Sequence, residues 1–335
     1  MDLAGRIDRH LIDSRLLRGN PLGDPHEREL YVYVPPGYDQ GSRRYPVLML
    51  LAGYGSTNRN LLNYDFFQPN VVERFDQLVR TGACEPGLLI LPDAIDRWGG
   101  SQFVDSDATG RYQSYLADEI VPWVDAHYRS LPVREARAVL GRSSGGFGAL
   151  RLGLDRPELF GVIGSHAGDS AFEVSILPEL RDAAIAYDRA GGLHAFIEAF
   201  AQDRTRVSFT GLMILAYTAA YAPARDAGFP FCELPIDVRS GELIQGAWRR
   251  FLEHDPLERI ARDKTALKSA SLVYLDAGNR DEHGLCFGAR RLAALLQARA
   301  VAVEYEEFDG GHRGTSARFE RSLPRLLAAC SAARR

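Results

Sequence analysis

The chain has 335 residues, 46% of them hydrophobic and 25% charged, a composition that supports a substantial globular core and excludes a disordered tail or a fibre. Forty Lys and Arg against 44 Asp and Glu leave a net charge of -4, so no basic excess recommends a nucleic acid or an anionic membrane as partner. Cys84, Cys232, Cys286 and Cys330 form no CxxC pair and no dense framework, which argues against a zinc ribbon or a disulfide scaffold and reads as reduced, mostly buried thiols.

In chain order, Asp2, Arg6, Asp8 and Arg9 stand where a secretory signal needs a continuous apolar core, so a cytoplasmic location is expected. Residues 30–34 are a β-rich run closed by the turn signal Pro35-Pro36-Gly37-Tyr38. Residues 45–52 and 87–93 are nearly continuous apolar runs, the pattern of strands covered on both faces of a mostly parallel sheet. Further strands are expected at 136–140, 161–165, 271–275 and 301–305, and helices at 71–80, 112–128, 145–154, 287–298 and 317–329. This alternation predicts an α/β fold, a mostly parallel doubly wound sheet with right-handed crossovers, in one domain over 1–335. It breaks between about Asp169 and Lys268, where helix-like and loop-like sequence predicts a cap-like or lid-like insertion, 169–268, over the carboxyl edge of the sheet. Within it, residues 207–224 carry no charge, but Ser208, Thr210, Gly211, Thr218 and Pro223 make the run a buried or lid helix rather than a membrane span.

Gly141-Arg142-Ser143-Ser144-Gly145 matches G-x-S-x-G, with an apolar strand leading in and the helical Gly146-Phe147-Gly148-Ala149 leading out. That is the strand-turn-helix context of a nucleophile elbow, so Ser143 is the expected nucleophile, the plain alternative being a glycine-rich turn with an incidental serine. The backbone N–H of Ser144 would face the reacting carbonyl from a helix N-terminus. A second oxyanion donor is expected from the loop after an early strand, where the N–H of Tyr54 lies in Gly53-Tyr54-Gly55; a mere tight turn is the alternative.

A serine hydroxyl needs a base. His312, in a glycine-rich loop after the last expected strand, is the expected base; His166 can line the pocket, and His283 reads as a helix-start or pocket residue. His10, His26, His127, His194 and His254 have no such setting and read as surface or capping residues. The carboxylate that orients the imidazole is expected in 276–284. Asp281 is chosen there, with Asp276 still in strand register as a structural hydrogen-bonding group and Glu282 a substitute only if the loop turns differently. The order Ser143, Asp281, His312 is that of α/β-hydrolases. Asp93, Trp98, Gln102, Phe103 and His166 are expected either to line the substrate pocket or to stand just behind it. Phe172, Phe209, Tyr217, Tyr221, Phe229, Phe231 and Trp248 fit an apolar or aromatic acyl group and equally fit core packing.

On these residues the chain resembles the putative-esterase family of α/β-hydrolases, which includes S-formylglutathione hydrolases, mycolyltransferases and enterochelin esterases. The resemblance is carried by residues 32–38, the glycine turn at Gly53, Pro92-Asp93, residues 143–149, residues 276–281 and the stretch 305–312. It implies a serine carboxylic ester hydrolase with nucleophile Ser143, acid Asp281, base His312 and oxyanion amides of Tyr54 and Ser144. Its partner would be a small-molecule ester; neither metal nor cofactor is needed, and a homo-oligomer is left open. Two departures stand out: Ala52 occupies the place where many α/β-hydrolases carry a histidine, and 169–268 is longer than the simplest members need. An acyltransferase or thioesterase would use the same three side chains, and a catalytically silent binding protein on the same fold is the non-enzyme alternative.

Overall fold

The structure, a computed structural model, describes residues 3–332. Eight strands build one sheet: β1 (Arg6–Asp13), β2 (Glu27–Val34), β3 (Val47–Leu51), β4 (Leu88–Pro92), β5 (Arg137–Arg142), β6 (Val162–His166), β7 (Leu272–Gly278) and β8 (Val303–Phe308). Their spatial order is β1-β2-β4-β3-β5-β6-β7-β8. From β4 to β8 every ladder is parallel, while β2 runs antiparallel to β4 and β1 antiparallel to β2.

Strand β3 shows why the apolar runs are unbroken. Val47, Met49 and Leu51 enter one core, while Leu48 and Leu50 enter the other, because successive side chains point to opposite faces and helices cover both. Burying each such side chain stabilises the fold by about 1.5–3 kcal/mol. The expected helices are present as Val71–Arg80, the run from Tyr112–Ser114 through Val121–His127, Ser144–Asp155, Leu285–Ala298 and Phe319–Ala332. Strand β1 was not foreseen: its sequence RIDRHLID is half charged, most of its residues are at least partly exposed, and it has a neighbour on one side only. An edge strand wetted on both faces leaves no apolar run to read.

Between β6 and β7 the chain folds into helices Leu177–Ala190, Leu193–Gln202, Phe209–Tyr221, Gln245–His254 and Pro256–Arg262. The first four of these helices share a core with Phe172 that includes Tyr187, Phe196, Ile214, Tyr221 and Phe251 and takes in Phe147 from the Ser144–Asp155 helix, while Leu257 and Ile260 of the fifth join the core of the sheet. The uncharged run at 207–224 supplies the 13-residue helix Phe209–Tyr221. Among the described residues no helix is long and apolar enough to cross a membrane. The four cysteines are all buried.

Candidate active site

Ser143 connects β5 directly to the Ser144–Asp155 helix with φ 57° and ψ -130°, a strained conformation for a residue with a side chain. The surrounding glycines are what allow so sharp a reversal. A Cβ on Gly141 would stand 2.4 Å from the carbonyl carbon of Gly145, and one on Gly145 would stand 2.3 Å from the Leu51 oxygen on β3. Two backbone bonds hold the turn: the Ser143 N–H donates to His166 O at 2.9 Å, and Phe147 N–H donates to Ser143 O at 2.9 Å.

The loops after β7 and β8 are pressed together by the same device. A Cβ on Gly278 would lie 2.3 Å from Gly310 O, so glycine there lets the two loops touch. One oxygen of Asp281 accepts the N–H groups of His283 (3.0 Å) and Leu285 (3.3 Å) at the start of the Leu285–Ala298 helix. The other oxygen pairs with His312 Nδ1 at 2.8 Å. Burial pulls the Asp281 carboxyl upward, but the bond and charge of His312, with the two amides, outweigh it and leave its pKa below the ordinary value. Glu282 takes the backbone N–H of His312 at 2.6 Å instead of its ring, so it fixes the loop and leaves the imidazole to Asp281.

Ser143 and His312 line one cavity of about 390 Å³. Neither Ser143 Oγ nor His312 Nε2 has a hydrogen-bond partner among the described residues; such bonds commonly close only around a bound substrate. The turn at Gly53 lies over the elbow, with the ideal Cβ of Gly53 placed 3.6 Å from Ser143 Cβ. The N–H of Tyr54 meets no acceptor among the described residues, and that of Ser144, first in its helix, has no intrahelical one. The Tyr54 side chain is anchored away from the turn, its hydroxyl donating to Trp98 O at 2.8 Å.

Sequence reading weighed Phe209, Tyr217 and His283 for the pocket and missed most of the rest of the cavity wall. Phe209, Met213 and Tyr217 line it from the helix Phe209–Tyr221, spaced four apart and so forming one stripe; that spacing inside the uncharged run was the available signal. Ile176, Leu285, Leu61 and Phe319 add apolar surface, and Arg142, Arg313, Asn60, Ser316, His283 and Asp169 add polar groups. Tyr217 OH also lies 3.4 Å from Ser144 Oγ. His283 Nδ1 is 3.0 Å from Glu179, whose hydrogen bond raises the histidine's pKa despite its burial. Asp169 is buried, and its carboxyl makes no hydrogen bond to another described residue; burial pushes it up to about 6, against the opposing pull of His312 and His283. Of the aromatics weighed between acyl pocket and core, Phe172, Tyr221 and Trp248 are core.

The structure does not bring the expected pocket residues to this cavity. Asp93 faces Arg28 at 3.5 Å in a separate depression between β2 and the segment after β4, because it follows a strand two places from β5 in the sheet. Trp98 is 1% exposed and packs on Phe200 and Phe229. Gln102 and Phe103 are likewise buried, but they line a small hollow with Tyr54 and Ser144 behind the turn. His166 points into the sheet's other face: Nδ1 is 2.8 Å from Asp276, and Nε2 is 2.9 Å from Ser322 Oγ. Among the described residues no group of three or more His, Cys, Asp or Glu side chains is placed to hold a metal ion.

A family model described as putative esterase matches residues 24–330. An esterase of Mycobacterium tuberculosis is 29% identical over 141 residues, 42% of this chain and 29% of that protein. An endo-1,4-beta-xylanase/feruloyl esterase of Xylanibacter ruminicola is 26% identical over 141 residues, 41% of this chain and 19% of that protein. The chain thus spans less than a third of the length of these curated relatives. Among solved structures, a ferulic acid esterase superposes with a TM-score of 0.63 at 17% identity, covering 98% of this chain and 100% of the other. An S-formylglutathione hydrolase from Agrobacterium tumefaciens gives 0.60 at 16% identity, covering 98% and 97%. The fold is therefore that of the α/β-hydrolases, as the strand order indicates.

Proposed function

The chain belongs to the putative esterase family, and from that premise we propose that it is a serine carboxylic ester hydrolase working through Ser143, His312 and Asp281. The observation that carries this reading is the pairing of His312 Nδ1 with Asp281 while its Nε2, unpartnered among the described residues, belongs to a ring that lines the same cavity as Ser143. Asp281 fixes the tautomer that leaves Nε2 as the proton acceptor. Ser143 Oγ attacks the ester carbonyl as Nε2 takes its proton, and Asp281 stabilises the resulting imidazolium. The amides of Tyr54 and Ser144 receive the oxyanion; the alcohol leaves with the proton from His312, and water activated by the same nitrogen releases the acid.

The stripe of Phe209, Met213 and Tyr217, with Ile176 and Leu285, favours an apolar or aryl acyl group. The test is a panel of p-nitrophenyl acetate, butyrate and octanoate, an aryl ester such as methyl ferulate, and a matched thioester, run on the protein and on Ser143→Ala. Hydrolysis of the oxygen esters that disappears in the variant is expected. Turnover confined to thioesters, or hydrolysis that survives Ser143→Ala, would overturn the proposal.

A further inference from the structure

The cavity is electrically uneven, and its cationic end has no counter-ion of its own. Arg142, the residue immediately before Ser143, lines the cavity and so does Arg313, immediately after His312. Arg142 Nη1 donates to Thr315 Oγ1 at 3.1 Å and to His312 O at 3.4 Å. These acceptors are neutral, and neither arginine has an ion pair among the described residues. Apart from Asp169 in the same wall, the acids nearby are engaged elsewhere. Asp281 holds the His312 ring and Glu282 its amide; Glu306 takes Arg318, Arg321 and Arg325, and Asp309 pairs with Arg280 at 2.9 Å.

The half-buried Arg142 guanidinium without a carboxylate is costly, and the exposed Arg313 adds its repulsion. Burial and the charge of Arg313 both draw the Arg142 pKa down, against the pull of Asp281. Nε and Nη2 of Arg142 make no hydrogen bond among the described residues, so a planar pair of donors remains to meet a carboxylate or phosphate. Asn60 and Ser316 line the same cavity and supply neutral donors. Asp169, also in the wall, keeps an anion away from its own side.

We propose that Arg142 and Arg313 form an anion subsite beside the nucleophile, so that the substrate is an ester carrying a carboxylate or phosphate near its scissile bond and an apolar or aryl group elsewhere. This inference rests on the esterase reading of Ser143 and names the substrate class of that same site. It is tested with matched esters: p-nitrophenyl butyrate against its hemisuccinate, and phenyl acetate against 4-acetoxybenzoate and 4-acetoxyphenyl phosphate. The ratio of kcat/KM for anionic over neutral esters is expected to exceed one, to fall at least tenfold in Arg142→Gln and several-fold in Arg313→Gln, and to decline with salt. Arg142→Lys, a point charge without the fork, should fall between. The larger ratio of the carboxylate and phosphate arms identifies the natural group. A ratio that Arg142→Gln leaves unchanged, both classes slowing equally, would reduce Arg142 to a support of the His312 loop and overturn the subsite. Binding of benzoate and phenyl phosphate to Ser143→Ala, followed by calorimetry, separates the two readings. Binding that is lost on adding Arg142→Gln is expected, and binding that Arg142→Gln leaves intact, or no detectable binding to Ser143→Ala, refutes the subsite.

Discussion

Two Ser–His–Asp constellations stand side by side in this fold. Ser143, His312 and Asp281 open on the cavity, while Ser322, His166 and Asp276 lie beneath it, and the carbonyl of His166 receives the N–H of Ser143. In each set the histidine Nδ1 meets an aspartate oxygen at 2.8 Å. By distance alone the inner set is the better formed, since His166 Nε2 already lies 2.9 Å from Ser322 Oγ. Yet Ser322 is 0% exposed and His166 3% exposed. Asp276 is further occupied by Tyr274 OH at 3.1 Å and Arg318 Nε at 3.0 Å. Ser322 lies inside the helix Phe319–Ala332, where backbone amides belong to the helix ladder and none is spare for an oxyanion. The outer serine sits at φ 57° on a turn flanked by unclaimed amides. The Asp–His pairing is thus common to both; access, free donors and an unfilled Nε2 are not.

The sharpest way to break this contrast is to delete each serine. Ser143→Ala is expected to lower kcat/KM for a neutral ester by about 10⁴-fold or more, and Ser322→Ala to leave it within a few-fold; an organophosphorus reagent should modify the Ser143 peptide alone, as mass spectrometry will read. The aspartates come next. Asp281→Asn should cost roughly 10³–10⁴ in kcat by allowing the wrong tautomer. Asp276→Asn should instead cost about 3–5 kcal/mol in urea unfolding by removing the buried carboxylate that pairs with both His166 and Arg318. If these two outcomes changed places, the assignment of outer and inner sets would be reversed.

Asp169 lies between those extremes, buried like Asp276 but unpaired. Its folded pKa of about 6 lies above the unfolded value, so with rising pH the unfolded chain loses its proton first and the native state is progressively disfavoured. Asp169→Asn should therefore be no more stable than the parent below pH 4 and gain up to on the order of 3 kcal/mol above pH 6, as urea melts across that range will show. The smallest effect is expected at the cavity mouth. Phe209 is 55% exposed, so Phe209→Ala should raise KM for an aryl ester by about two- to fivefold with an unfolding midpoint close to the parent's.

Legibility from sequence followed burial. The strands β3 to β7 were readable because helices cover both faces, leaving runs such as 45–52 nearly unbroken, whereas the half-charged β1 was invisible for the opposite reason. Of the site, the elements tied to backbone geometry were legible: the glycines about Ser143 and the loops that carry Asp281 and His312. Most of the wall was not, because residues from Leu51 to Phe319 meet there only when the helices between β6 and β7 pack down. Phe209, Phe172 and Trp248 look alike as letters, and only packing sends the first to the cavity and the others to the core. His166 was misplaced for a related reason. It ends the strand next to the elbow, but Ser322, 156 positions later in a helix, claims its second nitrogen.

The carbonyl of Leu51 lying 2.3 Å from where a side chain on Gly145 would begin has a consequence for how such a protein can change. The serine's coordinates are set by contact between main chains, which mutation of side chains cannot adjust by small steps. Change can instead enter the helices between β6 and β7, whose side chains can be exchanged while Ser143 stays where it is. For an engineer, residues 209, 213 and 217 are dials, and residues 141 and 145 are the fixed bench to which the instrument is bolted.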